Sequence, residues 1–421
     1  MQLSKKIFFL IIVSYFHVSL ANVEANVGIK AALKENVNLN SSSNPRMLNR
    51  NEGIFYGDKY KIEGINFSAL IMGELIASNI DQNQSSRFAK KTTYSTFCVP
   101  RILLYTGANL NEYVTANIGL NFAPSPGACS ACGYGGKNDP SRFNKYDKID
   151  QAHILFYNSE LSPYYAKIGI QYYNYGHYSP NSIPATLTQL MTQIQAPGVT
   201  LGYMPANDGL NFSVFSFTDK VKKDKTSKIN NIGAQVGYIN NDDLGKSEIS
   251  LDFLSNIASS VNYIVSSNQC PSVINPLNSS YKKAVPGISL TLKKQINDFY
   301  TTLGLTTALT SFNKEDIAWK EKGAKPAALL LDLNYKFISS GDKQNLIGFN
   351  YQKSLQAVNI KGNNLGRGLP LQRIQTYYTI ELMKNIEVGV QISWDKDYAV
   401  KNKGTGKDSL TSLVTLMAKI M

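Results

Sequence analysis

Histidine is nearly missing from this chain, at 3 of 421 residues. His17 lies in the first twenty residues, which leaves His153 and His177 for any chemistry. Two histidines are too few for a closed zinc site without cysteine partners. A nucleophile–His–carboxylate set has only His153 or His177 to use, and His177 lies beside a proline-bearing loop. GxSxG, Walker and HExxH signatures are absent. No enzymatic function, metal site or cofactor is expected.

Long apolar runs are missing after the first twenty residues. Nothing later approaches the roughly 18 uninterrupted apolar residues of a membrane helix, so a helical bundle in the membrane is excluded. The start, "MQLSKKIFFLIIVSYFHVSLA", has a basic Lys5-Lys6 region, a 14-residue apolar run Ile7–Leu20 and small residues at Ser19 and Ala21. It reads as a secretory signal over residues 1–21. An exported chain without membrane helices is either soluble or a β-barrel, the other fold that satisfies its backbone in lipid.

Acidic residues are also in deficit, 30 against 43 basic, for a net charge of +13. Subtracting Lys5 and Lys6 of the leader gives +11. Such a balance points to anionic partners, and export argues against nucleic acid. Cysteine is sparse but even in number: Cys98, Cys129, Cys132 and Cys270. In an exported protein these are disulfide candidates.

What the chain has in quantity is alternation. In "YAKIGIQYYNYGHY" (165–178), Lys167, Gln171 and Tyr173 fall on one face and Ile168 and Ile170 on the other. The same period of two runs through "NNIGAQVGYI" (230–239), "SEISLDFL" (247–254), "PAALLLDLNYKF" (326–337) and "EVGVQISW" (387–394). Strict alternation marks strands that are apolar on one side and wet on the other. Short connections carry Asn, Asp and Gly, as at 206–209, 240–246 and 340–344. Long ones fall near 77–92, 123–148, 177–197, 219–229, 259–286, 313–325, 359–369 and 399–409. Eight long loops alternating with short turns predict an all-β fold. It is a closed antiparallel transmembrane barrel of about 16 strands over residues 60–421, with short periplasmic turns and long extracellular loops. The apolar face then meets lipid, the polar face lines a lumen, and the tyrosines that close the 165–178 segment mark the bilayer boundary. Residues 22–59 form a periplasmic lead-in, too short for a plug domain.

The third long loop, "SPNSIPATLTQLMTQIQAP" (179–197), carries few charges. Pro184 can open a short helix whose Leu187, Leu190, Met191 and Ile194 share one face. An apolar face needs cover, so the loop is expected to fold into the lumen as a constriction, the alternative being an outer loop packed on its neighbours, with Thr186, Gln189 and Gln193 as candidate solute contacts. Period two also aims Lys167, Lys293, Lys336 and Arg373 inward. Asp395 and Asp397 in "WDKDY" read as compensating charge in a polar lumen. Basic loops such as "DKVKKDK" (219–225) and "KNKGTGK" (401–407) suit either a funnel for anions or contact with lipopolysaccharide phosphates.

Four stretches carry a family resemblance. They are "YYAKIGIQYYNYGHYSPNSIPATLTQ" (164–189), "VTLGYMPANDGLNFSVFSF" (199–217), "GRGLPLQRIQTYYTI" (366–380) and "WDKDYAVKNKGTGKDSLTSLVTLMAK" (394–419). Their order and spacing resemble the LbtU-type siderophore porins of Gram-negative outer membranes. The resemblance implies uptake of ferric siderophore, or another small anionic solute, through a barrel without the plug of energised receptors. The alternatives are a general anion-preferring porin or a structural or adhesive surface barrel.

Overall fold

The computed structural model describes residues 65–81, 91–110, 113–122, 149–157, 162–173, 175–176, 186–205, 208–218, 229–242, 245–260, 283–341, 343–358, 369–383, 385–402 and 404–420. The leader, the lead-in 22–59, Cys129, Cys132, Cys270 and the side chain of Cys98 lie outside this description, and with them the disulfide expectation.

The strands follow the period-two segments. They are β1 (Ile65–Asp81), β2 (Lys91–Asn109), β3 (Val114–Phe122), β4 (Ile149–Phe156), β5 (Tyr164–Tyr172), β6 (Gln195–Tyr203), β7 (Gly209–Thr218), β8 (Ile229–Asp242) and β9 (Gly245–Leu254). Then come β10 (Gly287–Ile296), β11 (Phe299–Ala308), the two-residue strands β12 (Ala318–Trp319) and β13 (Lys322–Gly323), β14 (Ala327–Ser339), β15 (Lys343–Leu355), β16 (Gln372–Met383), β17 (Ile386–Lys396) and β18 (Asp408–Ile420). Sixteen of them close into one antiparallel barrel, each pairing with its sequence neighbours, while β12 and β13 form a separate hairpin in the β11–β14 connection. Closure is made by β1 against β18, in register from Ala69↔Ile420 to Asn79↔Leu410. Closing the sheet leaves no unpaired strand edge.

Connections alternate as the sequence requires, seven of two to seven residues and eight of nine or more. The tight ones use left-handed backbone: Asn297 (φ 50°) between β10 and β11, Gly341 (φ 79°) between β14 and β15, and Asn385 (φ 70°) between β16 and β17. A tight hairpin requires that conformation, and Asn and Gly adopt it at least cost.

The faces sort by chemistry. Outward on successive strands stand Ile168, Leu201, Val214, Val236, Leu251, Leu333, Ile347, Val390 and Val414, all exposed. Facing them across the wall are buried Lys167, Thr200, Ser213, Gln235, Ser250, Asp332, Asn350, Gln391 and Thr415. An apolar exterior around a polar interior is the reverse of a soluble barrel and suits a bilayer. At the short-turn end the exterior turns aromatic. Tyr164 and Tyr203 have ring centroids 5.3 Å apart, Tyr203 stacks on Phe212 at 5.3 Å, and Phe299 meets Tyr335 at 4.5 Å.

Of the tyrosines closing the 165–178 segment, Tyr178 lies outside the described residues and Tyr175 departs from expectation. Tyr175 is fully buried, and Tyr173 stacks on Phe217 at 4.7 Å. Both belong to an apolar core inside the long-loop end rather than to a girdle outside it. Just past β5, Tyr173 keeps the inward parity expected of it, and its ring packs on Phe215 and Phe217 of β7. Burial pushes the Tyr173 phenol above its ordinary pKa, so it stays protonated and donates to the carbonyl of Ala196 at 3.2 Å.

Candidate functional site

The β5–β6 connection enters the barrel. It carries α1 (Leu187–Thr192), capped by Thr186, whose hydroxyl accepts from the Gln189 amide at 3.2 Å. Every residue from Thr186 to Ile194 is buried. Leu187, Leu190, Met191 and Ile194 do share one face, and they belong to one buried apolar cluster with Tyr173, Phe215, Phe217, Ala308, Phe312 and Ala328. The helix lies against β11, β14 and β15. In the strand order these are five, six and seven places from β6, almost across the barrel. The loop therefore spans the lumen instead of lining the wall it comes from.

Hydrogen bonds among the described residues fasten it. The Leu187 amide donates to Gln352 Oε1 of β15 at 2.6 Å. The Gly176 amide donates to Asp252 Oδ2 of β9 at 2.8 Å. The Ser260 hydroxyl donates to the Leu190 carbonyl at 3.4 Å. Gln352 is itself held, with its Nε2 donating to Asn350 Oδ1 and Gln375 Oε1, both at 2.8 Å. Gln375 Nε2 passes on to Ser393 Oγ at 3.0 Å. A ladder of amides thus runs from the start of α1 across β15, β16 and β17. Beside it, Tyr377 donates to Asp332 Oδ1 at 2.8 Å and also bonds Asn334.

The candidate contacts on the loop also bond within it. Thr186 is the cap, and Gln189 Nε2 donates to Gln193 Oε1 at 3.4 Å. All three are buried. The four cations do face inward, but they are not brought together. Lys167, Lys293 and Lys336 stand toward the short-turn end, where the Lys336 amide bonds the Asp298 carbonyl of the β10–β11 turn. Arg373, second residue of β16, is at the long-loop end. Two are locally neutralised. Lys293 Nζ lies 3.3 Å from Glu248, and Arg373 makes a two-pronged pair with Asp395 at 2.7 and 2.8 Å. Lys336 Nζ sits 4.3 Å from the ring centroid of Tyr300. Among the described residues, no carboxylate lies within salt-bridge distance of Lys167. Asp397 differs from Asp395: it lies in the loop and accepts from the Thr405 amide and hydroxyl, each at 2.7 Å.

The interior also repeats a packing device that period two alone does not reveal. Tyr105, Tyr165, Phe215 and Tyr377 each stand directly opposite a glycine of the next strand, Gly119, Gly202, Gly233 and Gly348. A Cβ at any of these glycines would overlap the facing ring. The rings lie along the wall because the glycines leave room, and they intrude less on the lumen. Aromatic and glycine on inward parity in paired strands was the available signal, but it needed the register.

No family model matches the chain. A UPF0422 protein of Coxiella burnetii is 27% identical over 330 residues, covering 76% of this chain and 66% of its own length. A UPF0422 protein of Legionella pneumophila strain Paris is 25% identical over 321 residues, 73% of this chain and 56% of its own. The chain thus spans just under two thirds of the first relative and little more than half of the second. Among solved structures, an anion-selective porin from Comamonas acidovorans aligns over 85% of this chain and 99% of its own, with TM-score 0.50 and 9% identity. The outer membrane protein OmpT of Vibrio cholerae aligns over 86% and 100%, with TM-score 0.51 and 11% identity. Pseudomonas putida OprB aligns over 85% and 94%, at 0.51 and 9%. The fold is that of an outer-membrane porin. With the apolar exterior, it places the chain in an outer membrane. Its sequence relatives are UPF0422 proteins, and the porin likeness is one of fold alone.

Proposed function

We propose that the protein is a narrow outer-membrane channel for small solutes, constricted by α1. The observation that carries this reading is the helix held across the lumen by Gln352 and Ser260, with Asp252 fastening the same connection at Gly176. The leading solute is a small anion of the ferric siderophore type. That refinement is supported by the resemblance to LbtU-type porins, by the net positive charge and by inward Lys167 without a carboxylate neighbour among the described residues. The reading involves no enzymatic step.

Planar-bilayer recordings of the refolded protein test it. The full chain should give discrete, small conductance steps. Replacing residues 187–192 by a short Gly-Ser linker should enlarge the steps while the barrel remains. Folded protein that never conducts, with or without α1, would leave the second reading, a closed structural surface barrel. One observation favours that alternative: the apolar core at the long-loop end draws in Ile257, Phe312, Ile317, Ala357 and Leu369 from three further connections. For the solute, anion preference in zero-current potentials and iron-chelate uptake by cells carrying the gene are expected. Cation preference would remove the siderophore refinement and leave the channel.

A further inference from the structure

Charge is almost absent from the described lipid-facing strand surface at the long-loop end, except in one row. Lys353 of β15 lies opposite Gln372 of β16, Gln372 opposite Lys396 of β17, and Lys396 opposite Asp408 of β18. All four carry the outward parity of their strands, shared with exposed Phe349, Tyr378, Ile392 and Leu410. One step deeper toward the bilayer centre, Tyr351, Ile374, Trp394 and Leu410 form a second row in direct register. Gln372 Nε2 donates down to the Tyr351 hydroxyl at 3.4 Å. Above the first row, Lys401 and Lys407 are exposed in the β17–β18 connection. The one carboxylate in the row is Asp408; Asp397 is turned into its own loop. Among the side chains described, other lipid-facing strand positions at this end carry no lysine or arginine.

A basic row over an aromatic and aliphatic row matches one environment. It is the level at which lipid phosphates meet acyl chains in the outer leaflet. Lysine suits it because its stem lies on apolar surface while its ammonium reaches the phosphate plane. Lys353 and Lys396 are two strands apart, about 10 Å, so one phosphorylated headgroup can reach both.

We propose that the outer wall of β15–β18 binds the phosphorylated headgroup of an outer-leaflet glycolipid. Lys353 and Lys396 donate to phosphate oxygens, and Tyr351, Ile374 and Trp394 pack on the upper acyl chain. The site is on the wall, apart from the basic loops, and it does not depend on whether the lumen conducts.

The experiment uses full-length refolded protein in phosphatidylcholine vesicles doped with a bisphosphorylated glycolipid. The glycolipid retained after extraction is counted by native mass spectrometry. Lys353→Gln with Lys396→Gln should lower retention about thirtyfold, as the loss of two lysines beside an anionic lipid predicts. The single variants should fall between. A control, Lys320→Gln with Lys322→Gln, removes the same charge from the exposed tip of the β11–β14 connection and should change retention less than about twofold. Dephosphorylating the glycolipid should bring the native protein down to the double variant, and inorganic phosphate should not compete. Equal retention by the double variant, an equal loss in the control, or indifference to the phosphate groups would overturn the proposal. Displacement by inorganic phosphate would overturn its lipid assignment.

Discussion

At Gly348 the wall has no room for a side chain. The ring of Tyr377 fills the place where a Cβ would stand, and Asn334 crowds it from the other side. Tyr377 cannot swing away freely, because its hydroxyl is held by Asp332 and Asn334. Gly348→Ala should therefore destabilise the barrel by about 1–3 kcal/mol, the usual cost of overpacking a close-packed site. Denaturant unfolding in detergent micelles checks this. Adding Tyr377→Ala to Gly348→Ala should cost less than the two single effects together, since the collision disappears with the ring. Strict additivity would show that the ring does not press on position 348. The inward parity of Gly348 and Tyr377 was legible in the sequence, because period two is local. Their facing each other was not, because register depends on how two hairpins settle.

α1 shows the same division one level up. Its apolar spacing at Leu187, Leu190, Met191 and Ile194 was legible, as was the inference that so apolar a face must be covered. Its address against β11, β14 and β15 was not, because a loop's destination is set by contacts with strands more than a hundred residues later. For the same reason Gln352 and Asp252, which fasten the loop, could be placed on the lumen face but not given a role. The helix is only six residues long and cannot persist without these contacts. Thr186→Ala should cost about 1 kcal/mol through the lost cap. Gln352→Ala leaves the Leu187 amide buried without its acceptor and should cost about 1–3 kcal/mol. In bilayer recordings Gln352→Ala should also add flicker and raise mean conductance, because the loop is freed at one end. Gln352→Glu keeps an acceptor for that amide and should flicker less than the alanine variant. Quiet, unchanged steps in folded Gln352→Ala would mean that the start of α1 does not control the passage.

Over the whole barrel, strand number, orientation of faces and alternation of loops follow from a pattern that every hairpin repeats, which is why they could be read from sequence. The distribution of charge inside could not. Parity gives inward cations, but neutralisation requires knowing which carboxylate stands opposite. Arg373 and Asp395 are directly paired across β16 and β17 at the long-loop mouth, and both side chains keep some access to solvent. As a pair they present little net charge to a passing ion. Taken singly they should not. Arg373→Gln uncovers the carboxylate and should move the zero-current potential toward cation preference. Asp395→Asn uncovers the guanidinium and should move it toward anions by a similar amount. The double variant should return close to the native value. Both shifts should shrink as salt rises from about 0.1 M to 1 M, where the screening length falls from about 10 Å to about 3 Å. If neither single variant alters selectivity in a conducting barrel, solute does not pass this pair. The route would then lie nearer Lys167 on β5, where Lys167→Gln should carry the larger effect.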